Sequence, residues 1–283
     1  MNYRHIYHAG NFTEVVKHTV LTVVIDYLRK KEAPFCYIDT HAGEGIYSLT
    51  SVEAEKTGES ASGVQKIIQA VDYPDCMRPY FEILKPYRTD HKISQYPGSP
   101  LFVYPLLREQ DRMILNEYHP AIYQRLKQNF AGKPRVAIHQ RDAYEFLPAI
   151  LPPAIPRGVV LIDPPFEHKE EDEKIRRVIE KCLKRWANGI YMIWFPITNV
   201  RSWNWQVILS QPGIKEYLVA ELTIAAENAP GKGLLGCRLL IINPPWKLAE
   251  TLSILLNYLW KIFNIDNQGS WSAIGGVPFN GNS

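Results

Sequence analysis

The chain has 283 residues, 46% of them hydrophobic, which is enough to bury one large core with an insertion. A net charge of only +3 excludes a globally cationic nucleic-acid coat, although a local basic patch remains open. The four cysteines, Cys36, Cys76, Cys182 and Cys237, show no C-x-x-C pair and no histidine at ligand spacing. They read as buried, reduced thiols of a cytoplasmic protein, and no metal site is expected.

The first eighteen residues hold no apolar core of signal-peptide length. They concentrate Tyr3, Arg4, His5, His8, Lys17 and His18, which combine stackable rings with phosphate-binding cations. A lone histidine is usually a surface or satisfied core residue. A cluster this dense ahead of the first strand predicts a substrate-facing lid that crosses the carboxyl edge of a sheet and orders with substrate.

The run "FCYIDTHAGEG" is a short strand ending at Asp39, then a turn in which Gly43 and Gly45 let the backbone bend sharply and a ligand approach. It lacks the third glycine of a dinucleotide-binding turn. An acid before the glycines and His41 between suit a sulfonium cofactor with an amino-acid tail better than a pyrophosphate, which wants bare amides. The bland alternative is an ordinary strand-to-helix turn. Residues 49–96 are polar and helical with no strong strand, and read as a small subdomain inserted into a single domain spanning 1–283. Within them "KPYRTDHK" is a basic run that fits a solvated face or part of an RNA-binding patch.

"DRMILNEYH", "VAIHQRDAYEF", "GVVLIDPPF" and "GIYMIWFPI" continue the strands, alternating with helical stretches such as "EDEKIRRVIEKCLKRW". Short, fully apolar runs between helices indicate a parallel sheet covered on both faces, with ligands at the carboxyl ends of its strands. Glu117 ends the second strand, where an acid can take both ribose hydroxyls of an adenosine cofactor. Asp142 ends the third, either to accept from the adenine amino group or to cap the helix "AYEFL".

The fourth strand runs into Asp163-Pro164-Pro165-Phe166. An exocyclic amine is a poor nucleophile because its lone pair is delocalised into the ring. The Asp163 carboxylate and the Pro164 carbonyl can accept its hydrogens, the prolines fix that carbonyl, and Phe166 can stack on the ring. A second copy, "NPPW" from Asn243 to Trp246, offers similar groups. It follows a late strand that would run antiparallel at the sheet edge and aim away from the cofactor, so the first copy is assigned the chemistry. The helix Leu248–Phe263 is interrupted by Glu250, Asn257 and Lys261, which suits a packed helix and not a membrane span. The end, "NQGSWSAIGGVPFNGNS", reads as a loosely held tail.

Taken together, "YRHIYHAGNFTEVVKH", "DTHAGEGIY", "YPGSP", "NEYHP", "LIDPPFE" and "NPPW" resemble the RlmJ family of bacterial adenine-N6 methyltransferases of 23S ribosomal RNA. The resemblance covers nearly the whole chain. It implies a Rossmann-like class I α/β methyltransferase fold with an inserted helical subdomain. It further implies S-adenosyl-L-methionine contacts at His18, His41, Ser99, Glu117, Asp142 and Ala143, with Asp163 as the catalytic carboxylate and also beside the cofactor. Tyr3 is implied as a substrate contact, and His5 and Lys17 lie in the same shared block on the substrate side. Phe166 departs from the tyrosine of the best-known members: it stacks equally well but loses a hydroxyl. A soluble cytoplasmic monomer acting on 23S ribosomal RNA is the expectation. A DNA adenine methyltransferase would use the same tetrad but typically carries a larger recognition segment. A protein-glutamine methyltransferase prefers "NPPY", and a non-enzymatic RNA-binding module leaves Glu117 and Asp163 without a purpose.

Overall fold

The computed structural model describes residues 5–70, 72–226 and 233–278. Tyr3 and Arg4 lie outside them. Eight strands form the central sheet: β1 (Cys36–Asp39), β2 (Arg112–Asn116), β3 (Val136–His139), β4 (Gly158–Ile162), β5 (Ile190–Thr198), β6 (Tyr217–Thr223), β7 (Leu234–Ile242) and β8 (Trp271–Gly276). Their spatial order is β3-β2-β1-β4-β5-β7-β6-β8. β1 through β5 pair in parallel, β7 runs antiparallel between β5 and β6, and β8 pairs antiparallel with β6. This is a Rossmann-like α/β sheet, as the resemblance implied.

Alternate residues of the central strands feed two cores. Tyr37, Val159 and Leu161 pack on one face, whereas Ile38, Val160 and Ile162 pack on the other. Burial on both faces is why these strands read as continuous apolar runs. One face is covered by Phe12–Arg29 and Leu248–Phe263, the other by Ala143–Ile150 and Glu171–Arg185. Cys36, Cys182 and Cys237 are buried in these cores, and burial pushes each thiol up to about 12; Cys76 is half-buried. Among the described residues no helix is long and apolar enough to cross a membrane.

Three sequence expectations need correction. Residues 12–18 of the expected lid are not part of one: Phe12–Arg29 is a helix, opened by the Asn11 side chain accepting from the Glu14 amide at 2.9 Å. Val15, Val16, Val20, Leu21, Val24 and Ile25 are buried in it, and Thr19 and Thr22 return their hydroxyls to its own carbonyls. Residues 267–276 are not loose either, because β8 closes the sheet edge. A Cβ at Gly269 would lie 2.2 Å from the Thr223 carbonyl oxygen, so this glycine marks a close backbone approach and not slackness. Thirdly, residues 49–96 do contain strand: Gln95–Pro97 pairs with Ile46–Ser48, and Arg88–Thr89 with Lys92–Ile93, beside the short helices.

Candidate active site

In the order above, the chain leaves β1 toward β2 on one side and returns to β4 on the other. The crevice at the carboxyl ends of β1 and β4 is therefore the topological switch point where ligands of such sheets bind. A cavity opens there, lined by His18, His41, Gly43, Ser99, Glu117 and Asp163 together with His5 and Lys17. Eight of the residues singled out in the sequence thus converge on one space.

The turn after β1 is held by hydrogen bonds to the end of β2. Gly43 has φ +63°, and a Cβ there would stand 2.0 Å from the Tyr47 hydroxyl oxygen. Its amide donates to Glu117 Oε2 at 3.0 Å, while the His119 amide donates to Oε1 at 2.8 Å. The carboxylate of Glu117 is therefore locked across the turn, and burial raises its pKa against those two bonds. Asp39 lies beneath, fully buried, accepting from the Tyr37 hydroxyl at 2.6 Å and the Ser99 hydroxyl at 2.7 Å. It positions Ser99 and does not itself line the cavity.

His18 sits in the helix Phe12–Arg29, stacked on Phe102 at 4.6 Å, with Nδ1 2.9 Å from the Tyr96 hydroxyl. Burial lowers its pKa to about 3, so the ring is neutral. Nε2 is buried and has no hydrogen-bond partner among the described residues, the Glu14 Oε2 being 3.9 Å away. In the tautomer that accepts from Tyr96 at Nδ1, Nε2 carries a hydrogen and is a donor in want of an acceptor. His41 is likewise neutral, lowered to about 4 by burial, and its Nδ1 lies 2.8 Å from the Thr40 hydroxyl. His119, which the sequence reading did not single out, also lines the cavity with a buried, unpartnered Nδ1. A ligand with a carboxylate, a ribose and a purine edge fits this donor set; orphaned buried polar atoms cost about 1–3 kcal/mol until something satisfies them.

Asp163 stands where that cavity meets a second cleft. The cleft is lined by Pro164, Phe166, Trp194 and Pro196, and it shares His5, Glu14, Asp163 and Pro165 with the cavity. Lys17, only 2% exposed, donates to Asp163 Oδ2 and to Glu14 Oε1 in two short ion pairs. Glu14 Oε2 in turn meets His5 Nε2 at 2.8 Å. Burial opposes the Lys17 charge, but the two carboxylates overcome it and raise the pKa. Burial likewise opposes the Glu14 charge, and His5 and Lys17 together hold it well below the usual carboxylate range. Oδ1 of Asp163 accepts no hydrogen bond among the described residues. Phe166, at φ +52°, faces Trp203 at 4.7 Å, Phe195 at 5.5 Å and Trp194 at 5.8 Å.

Two assigned residues stay off the cavity wall. Asp142 is exposed, and its Oδ1 accepts from the amides of Tyr144 and Glu145 at 2.9 and 3.2 Å, so of its two readings the helix cap is the one seen. Ala143 is buried in the first turn of that helix and is not in the lining. The second tetrad is remote. Because β7 is antiparallel, Ile242 pairs with Tyr191 at the start of β5, which puts Asn243 at the opposite edge of the sheet from Asp163. β7 is, however, an interior strand and not the expected edge. Asn243, at φ +54°, donates to the carbonyls of Ala187 and Gly189, both at 2.8 Å, and so pins a turn; Trp246 is 75% exposed.

Residues 32–274 match the model of the family described as "Ribosomal RNA large subunit methyltransferase D, RlmJ". The chain is 39% identical over 261 residues to the Escherichia coli (strain K12) protein named ribosomal RNA large subunit methyltransferase J, covering 92% of each chain. It is 37% identical over 275 residues to the Haemophilus influenzae protein of the same name, covering 96% of this chain and 97% of that one. The crystal structure of a protein from Legionella pneumophila superposes with a TM-score of 0.85 at 31% identity, covering 96% of this chain and 99% of that one. The chain belongs to the RlmJ family of ribosomal RNA large-subunit methyltransferases.

Proposed function

We propose that this protein transfers a methyl group from S-adenosyl-L-methionine to the N6 amino group of an adenine in 23S ribosomal RNA. The observation that carries the reading is the position of Asp163 in the wall between a cavity with two unsatisfied histidine nitrogens and a cleft lined by Phe166 and Trp194. When bound, the cofactor supplies an electrophilic methyl group on a sulfonium sulfur. His18 and Ser99 would hold its amino-acid tail and Glu117 its ribose. His41 and Gly43 shape the turn against it, with Ala143 and the Asp142 backbone behind the purine.

Everything else is done by the chain. Phe166 stacks on the adenine, and such stacking is worth about 1–3 kcal/mol. Asp163 Oδ1 accepts one hydrogen of the amine and the Pro164 carbonyl the other, which draws the nitrogen lone pair out of conjugation. Lys17 holds Oδ2, so the carboxylate keeps one orientation before the substrate arrives. The nitrogen loses a proton as it gains the methyl group, and Asp163 is assigned as its acceptor. Glu14, Lys17 and Asp163 together leave a net negative charge at this point, which stabilises the positive charge that develops on the amine. Tyr3, outside the described residues, and His5 are assigned to contact the displaced base. Residues 1–283 act as one domain with 49–96 inserted, as a cytoplasmic monomer.

Asp163→Asn is the test. It should abolish methylation of protein-free ribosomal RNA while leaving cofactor affinity, by calorimetry, within a few-fold, because the lost charge acts mainly on the transition state. Retained turnover would remove Asp163 from the chemistry.

A further inference from the structure

A third cleft opens beside the aromatic one and shares Pro196 with it. Among the described residues its walls include Thr198, Val200, Arg201, Trp203 and Arg238, and no carboxylate lines it. The rings step outward from the active site. Phe166 meets Trp203 edge-on at 4.7 Å, and the Arg201 guanidinium lies 3.9 Å from the Trp203 ring centre. One Arg201 nitrogen donates to the Lys169 carbonyl, which ties the segment after Phe166 to this cleft. A guanidinium has five N–H donors, and the other four have no acceptor among the described residues. Arg238 differs: it lies 5.0 Å from the Trp205 ring centre, and its Nε is satisfied by Glu221 at 2.7 Å. Among the described residues Arg201 is thus a cation without a counter-ion, held over an indole, one ring away from Phe166.

We infer that this cleft grips the nucleotide next to the target adenine in a single-stranded stretch of RNA, with Arg201 on its phosphate. The inference rests on the reaction proposed above. Contact with the indole restricts the guanidinium, and its free N–H groups can make a bidentate bond to phosphate oxygens, which a lysine cannot copy. An adenine brought into the Phe166 cleft must leave its stack, and this costs a few kcal/mol. A grip on the adjoining phosphate helps to offset that cost.

The experiment titrates a fluorescently labelled single-stranded RNA with the full-length protein, by anisotropy, at several salt concentrations. Arg201→Gln should weaken binding about tenfold at low salt, the size of one charge-assisted contact. It should also reduce the slope of log Kd against log salt by about 0.7, the share of one phosphate on a single strand. Arg201→Lys should keep the slope and recover part of the affinity, which a purely structural role for Arg201 would not produce. Val200 is 85% exposed on the rim, so Val200→Glu should weaken binding without disturbing the fold. If Arg201→Gln and Val200→Glu both bind RNA with wild-type affinity and salt slope, the inference is overturned, as it is if the wild-type protein binds no RNA. A wild-type protein that binds RNA with this Arg201 dependence but methylates no ribosomal RNA keeps the cleft and removes the proposed reaction.

Discussion

Replacing Lys17 with methionine keeps the side-chain length and removes the charge between two carboxylates. Lys17 is 2% exposed, and the side chains of Glu14 and Asp163 are 6% and 14% exposed. Removing one member of a buried ion pair costs about 3–5 kcal/mol, because the partner is left charged and unsolvated. Here Glu14 keeps His5 and Asp163 keeps some water, so the lower half of that range is expected. For a chain of this size 1 kcal/mol moves the melting temperature by about 2 °C, so Lys17→Met should melt about 6–8 °C lower at pH 7. The double variant Lys17→Met with Glu14→Gln should recover part of the loss, since the carboxylate stranded by the first change is then neutral. The pH window follows from the shifts. The depressed Glu14 contributes stability that is present above its unfolded value and lost as pH falls through its folded one. The raised Lys17 contributes stability that is present below its unfolded value and lost as pH rises through its folded one. The difference between wild type and variant should therefore be flat from about pH 5 to pH 10. Differential scanning calorimetry measures all of this. A Lys17→Met protein within 1 °C of wild type, or a double variant less stable than Lys17→Met alone, would refute the clamp.

Other outcomes follow from the same geometry. Asn243→Ala should cost about 2–3 kcal/mol of stability through two lost hydrogen bonds and an unfavourable φ, yet leave methylation within a few-fold; a larger loss of rate than of stability would mean that the wrong tetrad was assigned. His18→Ala should weaken cofactor binding about tenfold by calorimetry, the cost of one hydrogen bond to a charged tail, and unchanged affinity would take His18 off that side. His18 and His41 are held neutral, at about 3 and about 4, whereas an unfolded histidine takes up a proton below about 6.5. Stability should therefore fall from pH 7 to pH 5 by about 2 kcal/mol per histidine, less what the raised carboxyls of Asp39 and Glu117 return as they bind protons in the folded state. Equal urea midpoints at the two pH values would contradict this.

The parallel strands and Glu171–Arg185 were legible because burial on both sheet faces writes an unbroken apolar run and a surface helix writes a polar stripe. Phe12–Arg29 was not, because its valines and threonines are weak helix formers and its charges are buried in ion pairs where a surface was expected. Its start was nevertheless written in the chain: Asn11 followed three residues later by Glu14 is the spacing of a helix cap. That signal would also have brought Glu14 to the site, since a carboxylate three residues before Lys17 lies on the same helix face. Strand β8 hid behind glycines that serve close backbone contact. Asp142 could not be decided from sequence, because one carboxylate in one position suits both a cap and an adenine. Tyr47 and His119 lie in the blocks "DTHAGEGIY" and "NEYHP", but nothing local marks their side chains; only the folded turn brings them to the cavity.

The central claim is the identity of the methylated atom. Protein-free ribosomal RNA incubated with the enzyme and methyl-labelled cofactor, then digested to nucleosides, should carry its label in N6-methyladenosine from the 23S species. Label in any other nucleoside, or label only when DNA or protein is offered instead, would contradict the assignment of the Asp163 tetrad to an adenine amine of ribosomal RNA.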